Sequence, residues 1–322
     1  MILTKQIRYL APVPLLMLLL VAHANSQQAL TARAELLGTQ SPYSYPEKIV
    51  AGPDRGLYFL DTSLSSIFSL DPKSRKVTRL CGPSNVSSPS DLTVDNKGTI
   101  WALHSGGSKI SRLDRKCSPL GEISLNPRAL RLATNSLDEL IVLNGTGKTL
   151  FSLFSTDGRL LRSFGERNDY KDEITNNELS DGRIAVDNSG GFFFSFNYPP
   201  LIRHYNRNGA LLSEFRPESD VAIGPPKITV RKLSNSFAVS ARYQILVLDM
   251  ATDGNRLYLL LSGKNKVPAL NEGTPKLRVV TSKGATVKEL VLAHNFHRLA
   301  ARNGALVLLR NRAPFRVDEY IP

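Results

Sequence analysis

Short apolar strands that end on a polar residue recur along the chain: GLYFLD, TIWALH, ELIVLN, FFFSFN, LYLLLS and ALVLLR. Their last residues are Asp61, His104, Asn144, Asn197, Ser262 and Arg310. The intervals are roughly 40 to 65 residues, the period of propellers and solenoids. Each unit has the same grammar. One strand and a tight polar turn precede the marked strand, then come a short loop, a third strand, a second tight turn and a fourth strand. Turns such as Thr156-Asp157-Gly158 and Arg207-Asn208-Gly209 carry Asp-Gly and Asn-Gly. Two-residue hairpins favour these pairs because both central positions need positive φ.

Six such units can be counted. The last one (HRLAARNG, ALVLLR, FRVDEYI) is one strand short, while ALTARAELLG at 29–38 alternates apolar and polar and has no partner in the first unit. The pattern therefore predicts an all-β, six-bladed β-propeller of four-stranded antiparallel blades. An N-terminal strand at about 29–38 joins the last blade, closing the ring and removing exposed edges. Two stretches depart from the repeat: a polar insertion at 166–180 and a longer one at 217–241 containing Pro225-Pro226. Long connections in compact domains are often functional.

The units PSDLTVDNKGTIWALH and DGRIAVDNSGGFFFSF, with their Asp-Asn-x-Gly turn and "RLD" third strand, resemble the NHL-repeat family of six-bladed propellers over about residues 29–322. The resemblance implies a fold; propellers host many activities. It also implies that the connections between blades and the loops after each second strand open on one face. The six strand-end residues would then ring that face. Asp61, Asn144 and Asn197 read as staples of the following loops, because Asp and Asn bond nearby backbone. His104 and Arg310 break that rule and are the better candidates for ligand contact.

The N-terminus reads as a secretory signal over 1–24: basic Lys5 and Arg8, an apolar run from Leu10 to Val21, and a small-x-small site at Ala22-His23-Ala24. The run is too short and too interrupted by Pro12 and Pro14 to be a span of roughly 20 apolar residues. Residues 25–322 then form one exported propeller domain with no integral membrane segment, periplasmic or secreted. The formal charge is +13, and removing Lys5 and Arg8 leaves about +11. For an exported monomer this favours a protein, peptide or anionic glycan of the envelope over nucleic acid. Only Cys81 and Cys117 are present. The first would end an outer strand on one face and the second would sit in a turn on the other, so they are not expected to pair.

Cations gather where the ligand face should be. Lys109, Lys148, Lys264 and Arg312 sit in the loops after second strands, and Lys48, Arg128, Arg183 and Arg298 enter the first strands. Asp91 is the acidic exception. A funnel of one sign attracts the opposite sign, so the expected function is non-enzymatic binding of an acidic partner, with no cofactor. The alternative is a metal-dependent propeller enzyme. Resemblance to lactonases of the gluconolactonase/regucalcin-like family would use Glu47, Asp91 and Asp181 to hold a divalent ion. Resemblance to amidating-lyase-like propellers would use His104, His294 and His297. Gly147-Lys148-Thr149 is no P-loop, since TLFSLF after it is a strand rather than a helix.

Overall fold

The structure is a computed structural model. It describes residues 28–29, 34–37 and 46–320, apart from residues 54–55, 72, 171, 220–221, 233–236, 255, 264–274, 293–295, 303 and 311–316. The signal at 1–24, Lys264, His294 and Arg312 lie outside the described residues.

Two short strands come first, β1 (Gln28–Ala29) and β2 (Ala34–Leu37). Sheet one is β3 (Pro46–Ala51), β4 (Leu57–Asp61), β5 (Ser66–Asp71) and β6 (Lys76–Cys81). Sheet two is β7 (Pro89–Val94), β8 (Ile100–His104), β9 (Lys109–Leu113) and β10 (Pro119–Ser124). Sheet three is β11 (Ala129–Thr134), β12 (Leu140–Asn144), β13 (Thr149–Phe154) and β14 (Leu160–Glu166). After helix α1 (Glu173–Leu179), sheet four is β15 (Gly182–Val186), β16 (Phe192–Phe196), β17 (Ile202–Tyr205) and β18 (Leu211–Phe215). A separate hairpin, β19 (Lys227–Lys232) and β20 (Phe237–Arg242), follows. Sheet five is β21 (Val247–Asp253), β22 (Arg256–Leu261), β23 (Lys276–Val280) and β24 (Thr286–Val291). Sheet six is β25 (Phe296–Arg302), β26 (Ala305–Arg310) and β27 (Val317–Tyr320), with β2 outermost.

The count of six four-stranded blades is corrected. Among the described residues five sheets are four-stranded antiparallel blades, and sheet five has a fifth strand because β1 runs parallel along the free edge of β24. An unpaired edge is a ready template for such an addition. The single strand expected at 29–38 is instead two short strands on two neighbouring sheets. β2 pairs antiparallel with β27, in the register Ala34↔Glu319 and Leu37↔Val317. The two insertions also gain structure. The first holds α1, whose start is capped by Asp172 accepting from Thr175 N at 2.8 Å. The second holds the β19–β20 hairpin. Among the described residues no helix is long and apolar enough to cross a membrane.

Second strands such as LYFLD, IWALH and FFFSF are buried at every position, since neighbouring sheets cover both faces. The core is accordingly divided into clusters, each shared by two adjacent sheets, and one of them joins sheet six to sheet one. The most aromatic lies between sheets three and four. There Phe151 meets Phe192, Phe194 and Tyr205 edge-on, at 4.9, 5.1 and 5.4 Å between ring centroids. Burying one such ring contributes about 2–3 kcal/mol.

Cys81 and Cys117 form a disulfide with their Cα atoms 5.5 Å apart, contrary to the sequence reading. The reason is twist. Each strand is rotated about 20–25° from its neighbour, so fourth strands lie well off the axial direction. The end of one fourth strand thereby reaches the second tight turn of the next sheet. Three further pairs show the same approach: a Cβ on Gly158, Gly209 or Gly284 would press on Ile123, Phe164 or Phe215 of the preceding sheet. All four turns close with the same two backbone bonds, and Cys117 holds the left-handed conformation of those glycines with φ 65°. The disulfide replaces an apolar contact made elsewhere by repeat.

Replacing both cysteines with serine should lower stability by about 2–4 kcal/mol. The pair Cys81→Ile with Cys117→Gly, which copies the Ile123–Gly158 contact, should recover part of that loss. Thermal unfolding of the three proteins under non-reducing conditions measures it.

Candidate functional site

The end of each second strand meets the start of a first strand on one face, here called upper: Ser105, Gly145, Asn197 and Ser262 N–H groups donate to Ser88, Arg128, Asp181 and Leu246 carbonyls. At the same place every inner strand carries one charged residue followed by an apolar one, in the segments PEK, PSD, ALR, DGR, VLD and FHR. The residues are Lys48, Asp91, Arg131, Arg183, Asp249 and Arg298. A register shift marks this point in five of the six strands, and such bulges re-aim side chains. All six line the upper mouth of the central channel, together with Glu47 and Ser90. The space between them is about 30 Å³, room for one or two waters. The channel beneath is about 220 Å³, lined by residues such as Thr93, Thr134, Ala185 and Thr252.

Each of the six reaches the next sheet. Lys48 Nζ lies 3.1 Å from Asp91 Oδ1. Asp91 Oδ2 accepts from Leu132 N at 2.7 Å, and Arg131 Nη2 donates to Asp181 Oδ2 at 2.6 Å. Arg183 Nε donates to Leu248 O at 2.9 Å, and Asp249 Oδ2 accepts from Leu299 N at 2.9 Å. Arg298 Nε donates to Glu47 O and returns the series to sheet one. The mouth is therefore not lined by one sign. Asp249 joins Asp91 as a second acid among the ring residues. Arg131 takes the place assigned to Arg128, whose Nε bonds Gly106 O on the exposed surface. Aligning the six segments residue by residue, rather than taking the first cation of each, would have found both.

The charges are unevenly compensated. Arg131 is half-buried; its desolvation lowers its proton affinity, but Asp181 and Asp91 outweigh this and hold it above the usual arginine value. Arg183 is pushed down to about 10, by burial first and then by Arg131 and Arg298, against the pull of Asp181 and Asp249. Its hydrogen bonds go to the carbonyls of Leu248 and Gly182.

The strand-end residues are mostly occupied within the fold. Asp61 accepts from Ser63 Oγ at 2.6 Å and Leu64 N at 3.0 Å. Asn144 Nδ2 donates to Thr149 O, and Asn197 Nδ2 to Asp181 Oδ2. His104 is buried, with Nδ1 at 3.3 Å from Ser87 Oγ and Nε2 at 2.8 Å from Ser111 Oγ. Arg310 is half-buried at the end of β26. Lys109 pairs with Glu122 at 2.9 Å, and Lys148 is exposed.

The candidate metal ligands among the described residues are engaged within the fold. Asp91 and Asp181 are engaged by Lys48, Leu132 N, Arg131, Gly182 N and Asn197. His297 places Nδ1 3.0 Å from Leu309 O and Nε2 3.3 Å from Pro46 O, in a different sheet from His104. Among the described residues no three His, Cys, Asp or Glu side chains converge as a metal-binding group. A divalent ion needs several free oxygen or imidazole donors, and Asp91, Asp181 and His297 have theirs engaged by the protein.

No protein-family model and no curated protein matches this chain. Among solved structures it is similar to a streptogramin B lyase, at 15% identity and a TM-score of 0.53, covering 89% of this chain and 96% of that one. It is also similar to virginiamycin B lyase from Staphylococcus aureus (14%, TM-score 0.56, covering 90% and 99%). A gluconolactonase from Xanthomonas campestris gives 12% and 0.56, covering 92% and 88%. At these identities the likeness shows the propeller fold alone. The narrower likeness to NHL repeats has no family match behind it.

Asp91→Ala would strand both Lys48 and Leu132 N, so a loss of about 3–5 kcal/mol in urea unfolding is expected. A second outcome concerns acid. Burial, followed by Arg298, pushes His297 down to about 3, whereas an unfolded histidine titrates near 6.5. Between these values the unfolded chain binds more protons. Stability is therefore full above about pH 6.5 and falls as pH drops toward 3. His104 shifts the same way, through burial and then Lys109. Urea midpoints from pH 7 to pH 4 should fall less steeply for His297→Gln than for the natural protein.

Proposed function

We propose that this protein is an exported binding propeller whose upper mouth takes an anionic group (carboxylate, sulfate or phosphate) of an envelope protein, peptide or glycan. The observation that carries the reading is Arg183. It is a half-buried guanidinium, set between Arg131 and Asp249 in the ring and bonded to carbonyls, with its proton affinity lowered by burial and then by Arg131 and Arg298. An anion set over the mouth would relieve that repulsion at a site where low dielectric strengthens the attraction. The enclosed 30 Å³ admits no larger group, so the ligand would rest on the ring rather than enter the channel. Export is supported by the apolar N-terminal run and by the disulfide, which belongs to oxidising compartments. The enzymatic alternative has the fold likeness in its favour and no convergent donor set among the described residues.

Heparin, as a sulfated probe, separates local from general charge. Arg183→Gln should weaken its binding about tenfold at low salt, while Lys148→Gln, which removes one exposed charge, should change it far less. Equal weakening by the two variants, or none by Arg183→Gln, would overturn the reading.

A further inference from the structure

The connection from sheet four to sheet five carries the β19–β20 hairpin, which pairs with no other strand among the described residues. It is anchored at both ends, since Ile223 before it and Leu246 after it join the apolar cluster between those two sheets. The ribbon itself stands apart, and a lone two-stranded hairpin is marginal in water unless its apolar face is covered. Its two faces differ in chemistry. In the register Ile228↔Ala241 and Val230↔Val239, four apolar residues share one face. Val230 and Val239 there are 41% and 39% exposed. Lys227, Thr229, Arg231, Ser240 and Arg242 alternate onto the other face and are all exposed.

Charge narrows what could cover this ribbon. From Val221 to Leu248 the chain has four cations, Lys227, Arg231, Lys232 and Arg242, and no acid. Lys227 lies directly opposite Arg242. Like charges so placed destabilise a ribbon, and an anion beside them removes that penalty. A second copy of this chain would bring the same charge, +13 overall. An acidic protein would need cations and apolar side chains on one shared face, whereas here they occupy opposite faces. A bilayer offers both layers at once: hydrocarbon for the apolar face, and phosphates that long cationic side chains reach along the interface.

We propose that the β19–β20 hairpin is a docking element for an anionic lipid surface. It lies flat, with Ile228, Val230, Val239 and Ala241 toward the acyl chains and Lys227, Arg231 and Arg242 at the headgroup phosphates. It stands without the mouth reading, because it uses neither Arg183 nor the channel.

The test uses the full chain with vesicles of pure phosphatidylcholine and of phosphatidylcholine mixed with phosphatidylglycerol. The one natural tryptophan, Trp101, is buried, so an added one reports on the hairpin rather than on the apolar run at 10–21. Val239→Trp is expected to shift its emission to the blue, and to be quenched by brominated acyl chains, on the anionic vesicles only. Thr229→Trp, on the opposite face, should shift far less. Adding Arg231→Gln and Arg242→Gln to Val239→Trp should weaken vesicle binding about thirtyfold at low salt, whereas adding Arg183→Gln should leave it unchanged. Val230→Trp repeats the measurement from the same face in case Val239→Trp disturbs the hairpin. No shift on anionic vesicles from either valine position, equal shifts from the two faces, or equal shifts on both vesicle types would overturn the proposal. Binding lost through Arg183→Gln but not through Arg231→Gln with Arg242→Gln would overturn it as well, and would put the headgroup at the mouth instead.

Discussion

Everything at the upper face depends on a clasp in which one charged side chain per inner strand grips the next sheet. The grips differ in chemistry: an ion pair from Lys48, carboxylates on backbone amides from Asp91 and Asp249, guanidinium on carboxylate from Arg131, and guanidinium on carbonyl from Arg183 and Arg298. Bare propeller sheets touch through apolar side chains, which hold them together but fix their relative slide weakly. Directional bonds at the rim set that slide. The cost of desolvating six charges is met by placing each against a full or partial opposite charge.

The clasp also explains why ligand reading and fold reading overlap here. Four of the residues that sequence analysis assigns to a ligand, Lys48, Arg128, Arg183 and Arg298, bond a neighbouring sheet instead. Compensation is least complete around Arg183, and the proposed anion site rests on that position. Around Asp181 the bonds are uneven too: it accepts from Gly182 N, Arg131 and Asn197, while Arg131 Nε and Asn197 Oδ1 have no partner among the described residues.

Strand order and the boundaries of most sheets were legible because alternation, buried second strands and turn residues all agree. Three things were not. The pairing of β1 with β24 rests on two residues, Gln28 and Ala29, too few to leave a pattern. The disulfide was misjudged because strand order says which face a residue is on but not how far twist has carried it. Arg131 and Asp249 were missed because the charged position is defined by alignment to other strands, and a bulge hides it within any one of them. The orphaned atoms at Asn197 and Arg131 have no sequence signal at all, since satisfaction is a property of neighbours.

The covalent link joins sheets one and two, which are also the first two sheets made as the chain is synthesised. Its cysteines are 36 residues apart, and both belong to a cluster drawn from those two sheets alone. The pair can therefore lock while the remaining sheets are still unformed. The grip of Arg298 on Glu47 O, by contrast, must wait for nearly the whole chain. The link thus needs only the first two sheets, whereas the rim closes only when the last one is present.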